Sequence, residues 1–186
     1  MDKTLAWLWL ADAVGSGCQY ARELLDLYPD PAELYDILRV GTEAPPACLS
    51  AHALAQLRDT TPFDYEERLD HCLLSGIDIL TPDEGTYPDR LRDLPDLPLV
   101  LYVTGSAACL NGGRYAGMVG TRRPSAYGRQ AAFDLSLAMA QAGVVLVSGM
   151  ADGLDSEAHR AAVQAEVPTV AFLGTAIDKT YPAANA

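Results

Sequence analysis

The sequence predicts an α/β chain: a Rossmann-like parallel sheet preceded by a small all-α domain. In the first sixty residues, apolar positions recur at helical spacing between turn residues. From Phe63 onward helical and extended segments alternate. The last three extended segments are apolar and β-branched on both faces, as strands of a helix-covered parallel sheet are. The expected domains are therefore 1–60 and 61–186.

The elements follow in order. Leu5, Leu8 and Trp9, ending near Asp12, mark a first helix; Gly15-Ser16-Gly17 interrupts it, and Ala21, Leu24, Leu25 and Tyr28 resume the pattern. Asp30-Pro31 opens a third helix, with Pro in its first turn and Glu33 close behind, running to about Val40. Gly41 to Ala47, with Pro45-Pro46, reads as a loop, and Leu49 to Arg58 as a fourth helix. A helix, a glycine turn and a second helix have the outline of a helix-hairpin-helix, which binds DNA backbone through turn amides. This turn has no Lys or Arg, which favours a packing or protein-contact role.

In the second part, Tyr65 to Ser75 predicts a helix closed by Gly76, Ile77 to Leu80 a short strand, Tyr87 to Leu94 a helical turn begun at Pro88, and Leu99 to Val103 a strand. After the polar loop around Asn111-Gly112-Gly113, strands are expected at 116–120, 144–147 and 169–173. The helix after the first should bury Ala131, Leu135, Ala138, Met139 and Ala142. The helix after the second should pack Ala158, Ala161, Ala162 and Ala165 on the sheet.

With 186 residues, 49% of them hydrophobic, the chain is long enough to bury roughly 70% of its unfolded surface without staples. Cys18, Cys48, Cys72 and Cys109 form no CxxC pair and have no His at ligand spacing, so reduced thiols are expected and no metal or cofactor site. The apolar run Leu5 to Ala11 is too short to span a bilayer and lacks a basic start, which predicts a cytoplasmic protein.

Function is expected where parallel strands deliver their loops. The first loop, Gly120 to Arg129, reads GTRRPSAYGR: Gly120 lets the backbone turn, Pro124 stiffens it, Ser125 can cap the next helix, and Arg122 and Arg123 offer bidentate charge to phosphate. The second, Ser148 to His159, has Gly149 and Gly153 for close backbone approach and Asp155 as a candidate helix cap. The third, Gly174 to Asn185, carries Lys179, Tyr181 and Asn185. Converging on one side of a sheet, these loops would form a site for a phosphate-rich ligand. No GxGxxG fingerprint and no Walker lysine loop occurs.

The segments MVGTRRPSAYGRQ, LVSGMADGLDSEAH and AFLGTAIDKTYPAAN, in this order and spacing, resemble the DNA-processing protein A family (DprA, also called Smf). The preceding GIDILTPDEGTYPDRLRDLPDLPLVLYVTGS is similar to that family's entry into its Rossmann-like domain, and the N-terminal helices stand in the place of its SAM-like domain. The resemblance covers nearly the whole chain. It implies a non-enzymatic, cytoplasmic single-stranded DNA-binding protein that loads the RecA recombinase and protects incoming DNA during natural transformation, with a homodimer in the full-length family. Carried onto matching positions, it makes Arg122 and Arg123 the leading phosphate contacts, in a loop shaped by Gly120, Thr121 and Ser125. Ser148, Gly149, Gly153 and Asp155 become a second wall, Lys179 a third cation, and Asn185 a base or loop contact. His159 is expected to pack rather than catalyse, since no Ser or Cys nucleophile is paired with it; Tyr127 and Tyr181 are either base-stacking or buried residues. Family members continue past the YPxxN motif, finishing the sheet and often adding a winged helix, whereas this sequence stops at Ala186; a truncated chain with an open sheet edge is the expectation.

Two other classes remain open: a Rossmann-like hydrolase or transferase of nucleoside phosphates, and an interaction module acting through the acidic helical half. Charge bears on both. The net charge of -12 lies entirely in residues 1–110, with 19 acids against 7 bases, while 111–186 hold six of each. Of those six bases, Arg122, Arg123, Arg129 and Lys179 lie in or beside the loops, so the acidic total does not exclude a DNA ligand there.

Overall fold

A computed structural model describes residues 2–15, 18–41, 44–179 and 182. It divides into two compact units, residues 1–105 and 106–186.

The first unit is built on helix α1 (Lys3–Val14), which Asp2 caps by accepting from the Thr4 N–H. Leu5 to Leu10 are all buried, so this helix is apolar on every side and lies in the middle of its unit. Around it stand α2 (Ala21–Leu27), α3 (Pro31–Val40) and α4 (Ala51–Asp59), the last two capped by Asp30 and Ser50. A 3-10 turn over 62–65 leads into α5 (Glu66–Leu74). Trp9 meets Tyr35 of α3 edge to face at 5.3 Å. At the solvent end of α1, Asp12 accepts from Gln56, Tyr65 and Arg68, each at 3.1 Å, which ties α4 and the 3-10 turn with α5 to α1. Gly15 closes α1; Ser16 and Gly17 of the expected glycine turn lie outside the described residues.

Strand β1 (Asp78–Leu80) pairs antiparallel with β2 (Leu101–Val103), and the short helix α6 (Asp89–Arg92) lies between them in sequence. This pair belongs to the first unit. Leu97, Leu99 and Tyr65 are buried in the same cluster as α1, so the compact division falls at 105/106, not at 60/61. A local alternation of helix and strand does not reveal that a two-stranded ribbon packs backward onto the helices before it.

The second unit holds the parallel sheet: β3 (Arg114–Gly117), β4 (Val144–Ser148) and β5 (Thr169–Ala171), in the order β3-β4-β5. Helices α7 (Ala126–Gln141) and α8 (Leu154–Gln164) connect them. Ala140 of α7, Ala158 and Ala162 of α8 and Leu146 of β4 share one cluster, so both helices cover the same sheet face. The opposite face, which carries Tyr115, Val145, Val147 and Val170, has no α-helix of this unit against it among the described residues; the 3-10 turn over 107–110 meets it instead, where Cys109 O accepts from the Tyr115 hydroxyl at 3.0 Å, whereas β-branching on both faces had predicted helices on both.

One face assignment is corrected. On α7 the buried positions are Ala132, Ser136 and Ala140, with Met139 half-buried, whereas Ala131, Leu135, Ala138 and Ala142 are exposed. The helix carries small apolar residues almost all round, so periodicity does not choose its rotation. The buried stripe is one of small side chains, and its Ala140 shares a cluster with Ala158 and Ala162 of α8. Arg129, on the same stripe as Ala132, Ser136 and Ala140, reaches Glu157 of α8 at 3.3 Å, and Arg160 holds the other oxygen of Glu157 at 2.8 Å. The expected face of α8 is buried at Ala158, Ala161 and Ala162.

Candidate functional site

The C-terminal ends of β3, β4 and β5 deliver three loops to one edge of the sheet. Hydrogen bonds carry strand geometry a residue past the first two ladders: Met118 N–H donates to Val147 O and Phe172 N–H to Ser148 O, both 2.9 Å. The Ser148 hydroxyl donates to Met118 O at 2.6 Å, so this buried side chain joins β4 to β3 beneath the loops.

The first two loops interlock through glycine. At Gly153, φ is +90° and an added Cβ would lie 2.8 Å from Arg122 Cα and 2.9 Å from Arg122 C. At Gly120 a Cβ would come within 2.5 Å of Leu154 Cδ1. Leu154 N–H donates to Thr121 O at 3.3 Å, so the backbone of one loop is seated directly on the other. Thr121 Oγ1 accepts from Arg123 N–H at 3.2 Å, and Ser125 caps α7 as expected, accepting from Gly128 N–H at 3.1 Å.

Asp155 does something other than cap. Helix α8 starts at Leu154 with Gly153 in the cap position, so Asp155 is the second helical residue. Its carboxylate folds back to accept from Gly149 N–H at 3.2 Å and Ala151 N–H at 3.4 Å, while the Ser156 hydroxyl donates to Ala151 O at 2.7 Å. The second loop is thus fastened to its own helix, with Met150 between the two bonded amides in a left-handed conformation at φ 61°. Because these amides are engaged, a bound anion would depend on the side chains around them.

Arg122 supplies the charge. It lines a small cleft of about 120 Å³ together with Gly149, Ala151, Leu173, Gly174 and Thr175, so all three loops contribute. Among the described residues no carboxylate lies within ion-pairing distance of Arg122 or Arg123, and both are exposed. Arg123 and Lys179 are not part of the cleft wall. Lys179 is 71% exposed at its side chain and sits 3.7 Å from Asp178. Arg129 is held by Glu157, away from the role of a free cation. Tyr127 is 83% exposed at the start of α7, which removes the buried alternative for it. Tyr181 and Asn185 lie outside the described residues. The cleft residues that the sequence did not single out are Ala151, Leu173 and Thr175, since they carry no charge and follow no motif chemistry.

His159 packs. Its Nδ1 is 2.8 Å from Thr169 Oγ1, and the Thr169 hydroxyl donates to Leu146 O at 2.9 Å. The single hydroxyl proton is therefore taken, so Nδ1–H is the donor and Nε2 is the unprotonated nitrogen. That Nε2 is buried without a partner. Burial holds the pKa of His159 below its ordinary value, against the pull of Asp155. An unfolded chain then binds a proton near pH 6.5 that the native state refuses, so stability falls as pH drops through that value. We expect the melting temperature of the wild type to fall more between pH 7.5 and 5.5 than that of His159→Asn. Equal pH dependence in calorimetric melts would remove His159 as the cause.

A parallel sheet with helices after its strands and an arginine-lined cleft at its carboxyl edge defines a Rossmann-like protein that gathers three loops at that edge. The chain belongs to the DNA recombination-mediator protein A family, whose model matches residues 78–186. It is 36% identical over 110 residues to the DNA processing protein DprA of Bacillus subtilis, covering 59% of this chain and 37% of that one. It is 33% identical over 195 residues to the putative DNA processing protein DprA of Mycobacterium tuberculosis, covering 97% of this chain and 48% of that one. The chain therefore spans about a third to a half of these relatives' lengths. Its fold matches the crystal structure of DNA processing protein A from Streptococcus pneumoniae with a TM-score of 0.68 at 25% identity, over 100% of this chain and 62% of that one. The structure describing single-stranded DNA binding by DNA processing protein A from Helicobacter pylori matches with a TM-score of 0.50 at 30% identity, over 60% and 49% of the two chains.

Proposed function

We infer that the chain binds single-stranded DNA without chemically altering it, through the cleft at the sheet's carboxyl edge. The observation that carries this reading is Arg122, an exposed guanidinium with no ion-pair partner among the described residues, where all three loops meet. A backbone phosphate fits such a site: Arg122 would donate two N–H groups, and Thr175, which also lines the cleft, would add a hydroxyl. Arg123, one residue on, would meet the next phosphate, and Lys179 would extend the track. The exposed ring of Tyr127 is free to stack on a base. Relatives named for DNA processing, and the Helicobacter pylori protein named for its single-stranded DNA binding mode, support the same ligand.

Repulsion helps to direct the strand. The first unit carries the whole net charge of -12 and the second is neutral overall, so a polyanion is steered to the second unit. The nucleotide-transforming alternative has less support. A cleft of about 120 Å³ is well below the several hundred Å³ that enclose a nucleotide-sized ligand, and the nearby histidine is buried against Thr169. Loading of the RecA recombinase, protection of DNA in natural transformation, homodimerisation and a cytoplasmic location belong to the same proposal. Among the described residues no helix is long and apolar enough to cross a membrane.

The test is fluorescence anisotropy of labelled oligo-dT across a salt series, with unlabelled duplex as competitor. Binding should resist the duplex and weaken linearly in log Kd against log salt. Turnover of nucleotides by the chain, or preference for the duplex, would overturn the reading.

A further inference from the structure

Gly149 and Ala151, which line the cleft of Arg122, both donate their N–H groups to a single oxygen of Asp155, Oδ2, at 3.2 and 3.4 Å. Met150 between them is left-handed at φ 61°. Loop amides that converge on one point form a concavity for an anion, the device that phosphate-binding loops use. Here the concavity is filled by the protein's own carboxylate. Gly149 permits so close an approach, since a Cβ there would stand 3.0 Å from the same Oδ2. Asp155 is itself not part of the cleft wall, so its charge lies behind the two amides that are.

That charge has no local counterweight. Asp155 is 8% exposed, and among the described residues no Lys or Arg lies within ion-pairing distance of it. One turn along α8, burial holds His159 below its ordinary pKa, so the imidazole adds no positive charge at neutral pH. Arg122 and Asp155 therefore act with opposite signs on any anion in the cleft. Coulomb energy scales with the charge of the ligand, so the carboxylate bears twice as hard on a dianion as on a monoanion. A phosphodiester within a strand carries one negative charge. A phosphomonoester, such as a mononucleotide or a phosphorylated strand end, carries nearly two at neutral pH. With the loop amides taken and a carboxylate behind them, the cleft suits the single charge that one guanidinium can neutralise.

We propose that Asp155 is a specificity-determining residue of the Arg122 cleft: its carboxylate, seated on the amides of Gly149 and Ala151, selects internal phosphodiesters over phosphomonoesters by charge. The proposal rests on the single-stranded DNA reading and adds to it which phosphates the cleft accepts. Free nucleotides and phosphorylated ends are then poor competitors for a continuous backbone.

The test displaces labelled oligo-dT with two competitors that differ by one methyl and one charge, thymidine 5′-phosphate and its monomethyl ester. In the wild type the dianion should gain little from its extra charge, so the two should displace within about threefold of each other. Asp155→Asn removes the charge and keeps an oxygen that can accept from both amides. It should improve displacement by the monomethyl ester about threefold, the scale of one unit charge acting at short range through a largely aqueous path. The monoester, with twice the charge, should improve by the square of that factor, about tenfold. A wild type that prefers the monoester by more than threefold would overturn the proposal without any variant, and that comparison decides alone if Asp155→Asn does not fold. Equal gains for the two competitors, or no gain, would overturn it as well. Loss of both in a variant that melts like the wild type would assign Asp155 to holding the loop and overturn the selection by charge. Absence of displacement by either competitor in both proteins would do the same. In all these cases oligo-dT binding by the wild type leaves the DNA reading standing; if the wild type does not bind oligo-dT, the DNA reading itself falls.

Discussion

Gly153→Ala is expected to destabilise the second unit by roughly 2–5 kcal/mol, because it combines a backbone conformation open mainly to glycine with overlap against another segment's main chain. The Cβ would press on Arg122 Cα and C at 2.8 and 2.9 Å, and backbone at that distance has no rotamer through which to escape. Either the first loop or the start of α8 must shift, and each shift moves Arg122 out of the cleft. Oligo-dT affinity should therefore fall by more than the unfolded fraction accounts for. Gly112→Ala is the control. It has a similar positive φ of +75° but nothing within 4 Å of the added methyl, so it should show dihedral strain alone, about 1 kcal/mol. Thermal melts of both variants, with anisotropy on the folded fraction, separate the two contributions. Near-equal melting of Gly153→Ala and Gly112→Ala would show that the loops are not seated on each other at this point.

That interlock explains why the sequence reveals some of the site and hides the rest. Glycines after strands, a Pro-Ser step before a helix and two adjacent arginines are local chemistry, and Ser125 caps α7 as read. The order of strands and loops is legible for the same reason, since each strand-loop-helix unit is written in consecutive residues. What the sequence does not show is which partner a polar group will choose. Asp155 looks like a helix cap because it precedes an apolar stripe, yet α8 begins one residue earlier and the carboxylate binds the loop amides of Gly149 and Ala151. Arg129 and Lys179 count as cations of the loops, but Glu157 and Asp178 lie beside them. Gly153 reads as room for a ligand, whereas the space is filled by the backbone of Thr121 and Arg122. The rotation of α7 was illegible because alanines on several faces make all rotations nearly equal until α8 packs against one of them. The division at 105/106 was illegible because burying Leu97 and Leu99 against α1 is a contact across about ninety residues.

The second large effect separates the two arginines that the sequence treats alike. Arg122 lines the cleft and Arg123 does not, although both are exposed and lack ion-pair partners among the described residues. Arg122→Ala should weaken oligo-dT binding by roughly 10- to 100-fold, the range for losing hydrogen bonds to a charged group. Arg123→Ala should cost a few-fold at most, as expected of a cation held in solvent. Each should reduce the log-log salt slope by about 0.7, because each meets one phosphate. Arg122→Lys sharpens the distinction between charge and geometry. An ammonium keeps the counterion term and so the wild-type slope, but it cannot fork onto a phosphate, so affinity should recover only in part. Neither guanidinium supports a described contact in the fold, so all three variants should melt like the wild type, and altered binding then reports on the site alone. Equal losses at the two positions would mean that the strand follows the exposed outer side of the loop instead of entering the cleft. In that case Thr175 and Gly174, which line the same cleft, should also tolerate substitution without loss of binding.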